Sequence, residues 1–336
     1  MDDRRRTPAG RRWYASRFMR SPLPAAPRSP LLALYRWFNG QAWLLLVFTT
    51  LIWGCNAVAA RLAVGEISPM MLTTARWSIC CVALYVTARR EIAAHWHTLR
   101  PHWPYLAIMG TAGFAAFNAL FYAAAHHTTA INLAIIQGTI PVLVLLGGVL
   151  FMRLRVTALQ MLGVAVTLAG IVVVASRGQL AVLTGLAFNE GDVWMVIASV
   201  LYAGYMLGLR RRPAVPPIVF FAAVAGVAAV ASLPLLAAEV AAGRFFAPTP
   251  TGWLLMLFVG LLPSFVSQVT FIQAVSLIGP ARAGVFLNLT PVFGPLLAVL
   301  ILGEPLALFH AVALALVLGG IWIAEQFGAS KAARPS

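Results

Sequence analysis

Nine side chains stand out because their chemistry does not belong in the apolar runs that contain them: Trp53, Asn56, Arg76, Asn118, Gln137, Tyr202, Tyr205, Gln268 and Asn288. Amides, phenols and an indole N–H can bind a zwitterion or a polar organic molecule through directed hydrogen bonds. Their plainer use is as glue between helices, worth about 0.6 kcal/mol per contact. Arg76 stands apart, because a guanidinium inside a membrane span faces a cavity or a structural partner unless it lies near enough to a membrane face to snorkel. Pro141 and Pro291 each remove a backbone donor in mid-helix and are read as kinking or breaking it, statically or as gates, so that carbonyls are freed for a cavity.

Bond-making chemistry finds no footing in the same residues. No catalytic residue is assigned, and neither a cofactor nor a metal is expected. Glu190 and Asp192 sit together at one span end without a convergent histidine, and no zinc-protease, serine-hydrolase or phosphate-loop motif occurs. His126 and His127 fall in one connecting loop and His95, His97 and His102 in another, which is no ligand set. Cys55, Cys80 and Cys81 lie inside apolar runs, so disulfides and zinc are not expected.

What must position these residues is a membrane bundle. Of 336 residues, 61% are hydrophobic and 10% charged, and the mean hydropathy is +0.88. That leaves too few polar groups to cover a water-facing surface. Apolar runs of about 20 residues, the length that crosses a bilayer, fall at roughly 43–61, 69–88, 104–125, 128–151, 157–175, 191–209, 217–238, 252–275, 281–302 and 306–326. They are too long and too weakly alternating for barrel strands, so the fold class read here is all-α with ten transmembrane helices. Trp43, Trp96, Trp103, Trp194 and Trp253 fall near span ends, where interfacial anchoring is expected.

The net charge of +15 is spread as cytoplasmic loops demand. Arg4, Arg5, Arg6, Arg11, Arg12, Arg17, Arg20, Arg28 and Arg36 crowd the N-terminal tail. Arg89, Arg90, Arg100, Arg153, Arg155, Arg210, Arg211, Arg212 and Arg282 fall in loops on the same side, against Arg61, Arg177 and Arg244 opposite. Both termini are therefore expected in the cytoplasm. A nucleic-acid partner is not expected, since no basic stripe interleaved with aromatics lies on a soluble module.

An offset of 150 lays Phe121 on Phe271, Ala124 on Ala274, Pro141 on Pro291 and Gly170 on Gly320 without a gap. Each half would hold five spans, an odd number, so the second repeat must be inverted relative to the first. The expected organisation is a disordered basic tail over 1–42, a first repeat over 43–176, a second over 190–326 and a short cytoplasmic tail over 327–336. Spans five and ten carry Gly163, Gly170, Gly319 and Gly320. They are expected on the periphery of the bundle, or as a homodimer interface through helices 5 and 10.

Several local features carry a resemblance to a known family. They are Trp53-Gly54-x-Asn56 in the first span, Pro69 with Arg76 in the second, the paired Pro141 and Pro291, and Gly303-Glu304 ahead of an apolar span ending in Gly319-Gly320. In these the chain resembles the ten-helix EamA-type permeases of the drug/metabolite transporter superfamily, over about residues 43–326. It departs from the family pattern at Arg153-Leu154, where Gly-Glu is common, and it has no carboxylate in the middle of a span. The resemblance implies secondary transport of a small polar or amphipathic metabolite, amino acid-like or drug-like, across a bacterial inner membrane, more often as export. The partners expected are membrane lipid and the small-molecule substrate. The rival readings are a flippase for a lipid-linked substrate and, more distantly, an integral membrane enzyme.

Overall fold

Backbone amides in hydrocarbon have no water to bond, so an apolar run that crosses a bilayer must close its own hydrogen bonds as a helix. The computed structural model describes residues 37–154, 156–179, 182 and 188–326. The basic tail up to Arg36, Arg155 and the segment 327–336 lie outside the described residues. Residues 37–40, the described part of a first unit ending at Gln41, form a helical turn.

The second unit, from Ala42, is helical, and among the described residues it has no strand. Its helices are α1 (Ala42–Leu62), α2 (Pro69–Leu99), α3 (Trp103–Gly110), α4 (Phe117–Ala124), α5 (Ala130–Gln137), α6 (Ile140–Met152) and α7 (Ala158–Ala175). There follow α8 (Glu190–Gly208), α9 (Pro217–Ala241), α10 (Pro250–Val259), α11 (Ser267–Ile278), α12 (Pro280–Val285), α13 (Thr290–Leu297) and α14 (Leu308–Gln326). Side-chain caps start several of them: Thr129 accepts from Asn132 N, Thr157 and Gln160 form a capping box, and Asn189 accepts from Gly191 N and Asp192 N. Arg153 and Gly303, both left-handed, stop the helical runs before α7 and α14.

Nine helical runs among the described residues are long and apolar enough to cross a membrane. One of them, Pro69–Ala124, has 56 residues and contains both the second and the third expected spans. The sequence places a loop after residue 88. The chain instead stays helical to Leu99 and turns through a short 3-10 segment, Arg100–His102. Arg89, Arg90 and Glu91 are exposed there, so α2 runs past the membrane as a charged helix.

The spans are less regular than the sequence indicates. A π-helical segment, Thr111–Ala116, joins α3 to α4, and another, Gly260–Val266, joins α10 to α11. The offset of 150 superposes these two segments. A further correction concerns Pro141 and Pro291. They do not kink the interior of a helix but sit in the first turns of α6 and α13, where a missing N–H is an orphan in any case. Ahead of them the chain breaks at Gly138-Thr139 and tightens into a 3-10 turn at Phe286–Leu289. The breaks meet, since a Cβ on Gly138 would lie 2.6 Å from Cβ of Pro291.

The closest helix packing is reciprocal. A Cβ on Gly163 would lie 2.6 Å from Gly320 O, one on Gly170 would lie 3.0 Å from Ala313 O, and Gln160 Nε2 donates to Ala324 O. The same offset turns Gly163 into Ala313 and Gly170 into Gly320, so each half gives the other the contact it receives, as a two-fold relation requires. The contacts run in opposite chain directions, so α7 and α14 are antiparallel. Gly110 against Val227 and Gly260 against Ile79 form a second, approximate exchange, in which the glycines keep the offset of 150 and their partners are two residues out of it. Of the glycines expected to serve a homodimer, Gly163, Gly170 and Gly320 are filled by this internal packing, and Gly319 has open space around it.

Gly163→Leu should therefore force α7 from α14 and cost about 2 kcal/mol, read as a lower melting temperature in detergent. Gly319→Ala should leave that temperature unchanged.

Candidate functional site

Where the spans are irregular they line a cavity of about 640 Å³. Trp53 and Asn56 reach it from α1, Arg76 from α2, Asn118 from α4, Gln137 from the end of α5, Tyr202 and Tyr205 from α8, and Gln268 from α11. Pro141 is also on its wall. Pro291 is not, and Asn288 is absent from the lining too. Asn288 Nδ2 donates instead to Oε1 of Glu325, an exposed side chain that does border the cavity, at 3.3 Å.

Aromatic rings form a connected series along the wall. Trp77 stacks on Phe114 with ring centroids 4.5 Å apart, Phe114 meets Tyr205 at 5.1 Å, Tyr205 meets Tyr202 at 5.4 Å and Tyr202 meets Phe117 at 4.9 Å. On the other side Trp53 packs on Phe271 at 5.6 Å and donates Nε1 to Pro263 O at 3.3 Å. That carbonyl belongs to the π-helical segment before α11. Gln137, Gln268 and the two tyrosine hydroxyls form no side-chain hydrogen bond with other described residues, so their polar groups are not consumed as glue.

Arg76 is 6% exposed, which removes snorkelling as its explanation. Its Nη1 donates to Tyr122 Oη at 2.6 Å and to Asn56 Oδ1 at 3.3 Å, and Tyr122 in turn donates to Asn56 at 3.1 Å. Both partners are neutral. Nε has no partner, and no carboxylate among the described residues pairs with the guanidinium. Placing an arginine at mid-membrane costs about 3 kcal/mol on insertion scales, and hydrogen bonds to neutral groups leave its charge in place. Nearby, Trp77 Nε1 and Asn118 Oδ1 are also buried without partners, while Asn118 Nδ2 is held by Phe114 O at 2.7 Å.

Beyond Arg76 the bundle is closed by polar contacts on the segment 125–132. Asp192, 1% exposed, accepts from Thr128 Oγ1 at 2.6 Å and from Asn132 Nδ2. Glu304 caps α5, accepting Ala130 N at 2.9 Å and Ile131 N at 3.1 Å, where a helix N-terminus favours negative charge. Arg61 Nη1 donates to Ala125 O and Asn189 Nδ2 to His127 O. On the same segment, burial pulls the His126 imidazole below its usual pKa, helped by His127 and Arg61. Glu66 and Thr249 tie two further loops together by a side-chain hydrogen bond.

Sequence reasoning missed Trp77, Phe114, Phe117 and Phe271 as wall residues and Tyr122 as the partner of Arg76. A usable signal was present, because Phe114, Phe117, Asn118 and Phe121 repeat at three- and four-residue spacing and so share one helix face.

Comparison with known proteins adds the following. The EamA-like transporter family model matches twice, over residues 41–176 and 189–325. The chain is 22% identical over 287 residues to the uncharacterized transporter YyaM of Bacillus subtilis, covering 84% of this chain and 93% of that one. It is 28% identical over 277 residues to a probable terminal-alkyne amino-acid exporter of Streptantibioticus cattleyicolor, covering 78% and 87%. The inner membrane transporter YedA of Escherichia coli is 24% identical over 273 residues, covering 80% and 85%. One solved crystal structure shares the fold with a TM-score of 0.61 at 22% identity, over 86% of this chain and 98% of that one.

Tyr122→Phe removes a hydrogen bond to a buried charge and should cost about 2 kcal/mol of stability. Thermal unfolding of the purified protein measures it. An unchanged midpoint would mean that Arg76 draws nothing from the hydroxyl.

Proposed function

The chain belongs to the EamA-like transporter family, and from this premise we propose that it is a secondary transporter or facilitator of a small amphipathic metabolite working by alternating access. It is a multi-pass membrane protein, and transport is the activity its family and its relatives share. The observation that carries the finer reading is the cavity, walled by residues from both family matches, with free amides and phenols set among aromatic rings. Such a wall suits a cargo with an apolar body and a few polar groups.

The alternation follows from the exchanged packing. Two halves in a two-fold relation, with equivalent spans antiparallel, can trade conformations and so open the same hollow to either side. In the present state the cavity extends to Leu209 and the exposed Glu325, and the opposite end is held shut through Asp192 and Glu304. By the arginine distribution, the reachable end faces the cytoplasm and the termini lie on that side of the inner membrane. Loading from the cytoplasm fits export, the direction in which the Streptantibioticus relative is named to work. Pro141 and Pro291 start the helices just past the crossing breaks of the two halves, where gating motions would concentrate. Substrate contact falls to Trp53, Asn56, Arg76, Asn118, Gln137, Tyr202, Tyr205 and Gln268, with Asn288 steadying Glu325 at the mouth.

Comparing metabolites in the medium of overexpressing and deleted cells should reveal one or a few compounds whose export follows the gene, and proteoliposomes should reproduce that flux. Trp53→Ala, Gln137→Ala and Tyr205→Ala should each cut it at least tenfold at normal expression. Trp253→Ala, at an exposed helix start, should not. Flux that survives all three cavity variants, or scrambling of labelled lipid in place of solute flux, would reject the reading.

A further inference from the structure

The cavity holds its two charged groups in unequal circumstances. Glu325 is exposed, at the end of α14, where water screens it and Asn288 already bonds it. Arg76 is buried, in surroundings where charge interacts over longer distances. It lies about two turns into α2, on the side of the cavity nearest the closed end, together with Asn56 of α1 and Tyr122 of α4.

Every hydrogen bond that Arg76 forms goes through Nη1, and both acceptors are neutral. A guanidinium offers five N–H donors. Two are engaged by the protein, and Nε, like the neighbouring Trp77 Nε1, is buried without a partner. A structural arginine of this burial would be expected to face a carboxylate. This one faces an aromatic hollow.

We propose that Arg76 is an anion receptor and that the cargo class is organic monocarboxylates with an aromatic or branched apolar body. The proposal deepens the transport reading above and rests on it. The guanidinium lies over the Trp77 ring at 5.2 Å and the Tyr122 ring at 5.9 Å, contacts that attract it without cancelling its charge, and one net positive charge accommodates one negative charge. A dianion or a phosphate ester would bring a second charge with no partner among the described wall residues. The body of the cargo lies along the ring series Trp77, Phe114, Tyr205, Tyr202 and Phe117, and its carboxylate lies toward Arg76. Asn56 and Tyr122 act as positioning residues that hold the guanidinium without neutralising it.

The test uses the full chain purified in detergent and three probes that share one body: 3-phenylpropanoate, 3-phenylpropanamide and 3-phenylpropylamine, each titrated calorimetrically. The wild type should bind the carboxylate at least tenfold more tightly than the amide or the amine. Arg76→Gln should erase that preference while leaving amide affinity within threefold. Asn56→Asp places a carboxylate on an existing partner of Nη1, and it should erase the same preference with the guanidinium still present. It therefore decides the matter by itself should Arg76→Gln fail to fold. Equal affinities for all three probes in the wild type, or a carboxylate preference that survives Asn56→Asp, would overturn the anion receptor and leave the transport reading standing. Failure of the wild type to bind any of the three would also overturn the anion receptor, whereas the transport reading stands or falls on solute flux in proteoliposomes.

Discussion

A peptide group in hydrocarbon must find its hydrogen-bond partner within the protein, and the rest of this structure follows from where that demand is met and where it is relaxed. Most exposed stretches of the spans are regular α-helix; the π-helical segment Ala298–Leu302, with Leu300 and Ile301 exposed, departs from this. Irregular backbone collects inside: the π-helical segment bearing Gly113 and Phe114, the break at Gly138, and the 3-10 turn bearing Leu287 all line the cavity. The freed backbone groups are taken up locally. Pro263 O accepts from both the Trp53 indole and the Ser267 hydroxyl. The hollow therefore exists because the helices are broken where other helices cover them.

The same constraint explains the treatment of charge. Carboxylates at the closed end are answered by hydroxyl, amide and backbone donors, which lets them act as fasteners between separate parts of the bundle. Asp192 and Glu304 come from distant places in the chain and seize one short segment, 128–132, that carries its own N-cap, Thr129. Arg76 receives two neutral acceptors and keeps its charge. Fastening and the free positive charge are thus neighbours, with Arg76 on the cavity side of the contacts that close the bundle.

Small residues set the geometry that joins the halves. Gly163, Gly170 and Gly320 let α7 and α14 approach until backbone meets backbone, and Gly110 and Gly260 do the same for the π-helical spans against Val227 and Ile79. In lipid, where apolar side chains gain little by leaving one apolar medium for another, close van der Waals approach of this kind holds helices together. The α7–α14 contacts are exchanged under one offset, so each half supplies there the contact that it receives.

The sequence by itself determined that the chain crosses a membrane repeatedly as helices, because length and apolarity decide that without reference to neighbours. It also exposed the duplication, through the matched residues at an offset of 150, and it marked Trp53, Asn56, Arg76, Asn118, Gln137, Tyr202, Tyr205 and Gln268 as misfits in apolar runs. Lipid tolerates no such groups on its side, so they had to face inward. Only the tertiary structure decided which of them meet. Asn288 carries the same amide as Gln268 yet sits off the cavity wall, bonded to Glu325. Trp77 and Phe114 look like ordinary lipid-soluble side chains yet build the wall. Pro141 and Pro291 read as kinks and proved to be helix starts, because the breaks before them arise where Gly138 meets Pro291 across the bundle. Side-chain type reports the cost of a residue in lipid, whereas its partner is set by which helices cross and at what height, and those heights come from long-range glycine contacts that no local pattern records.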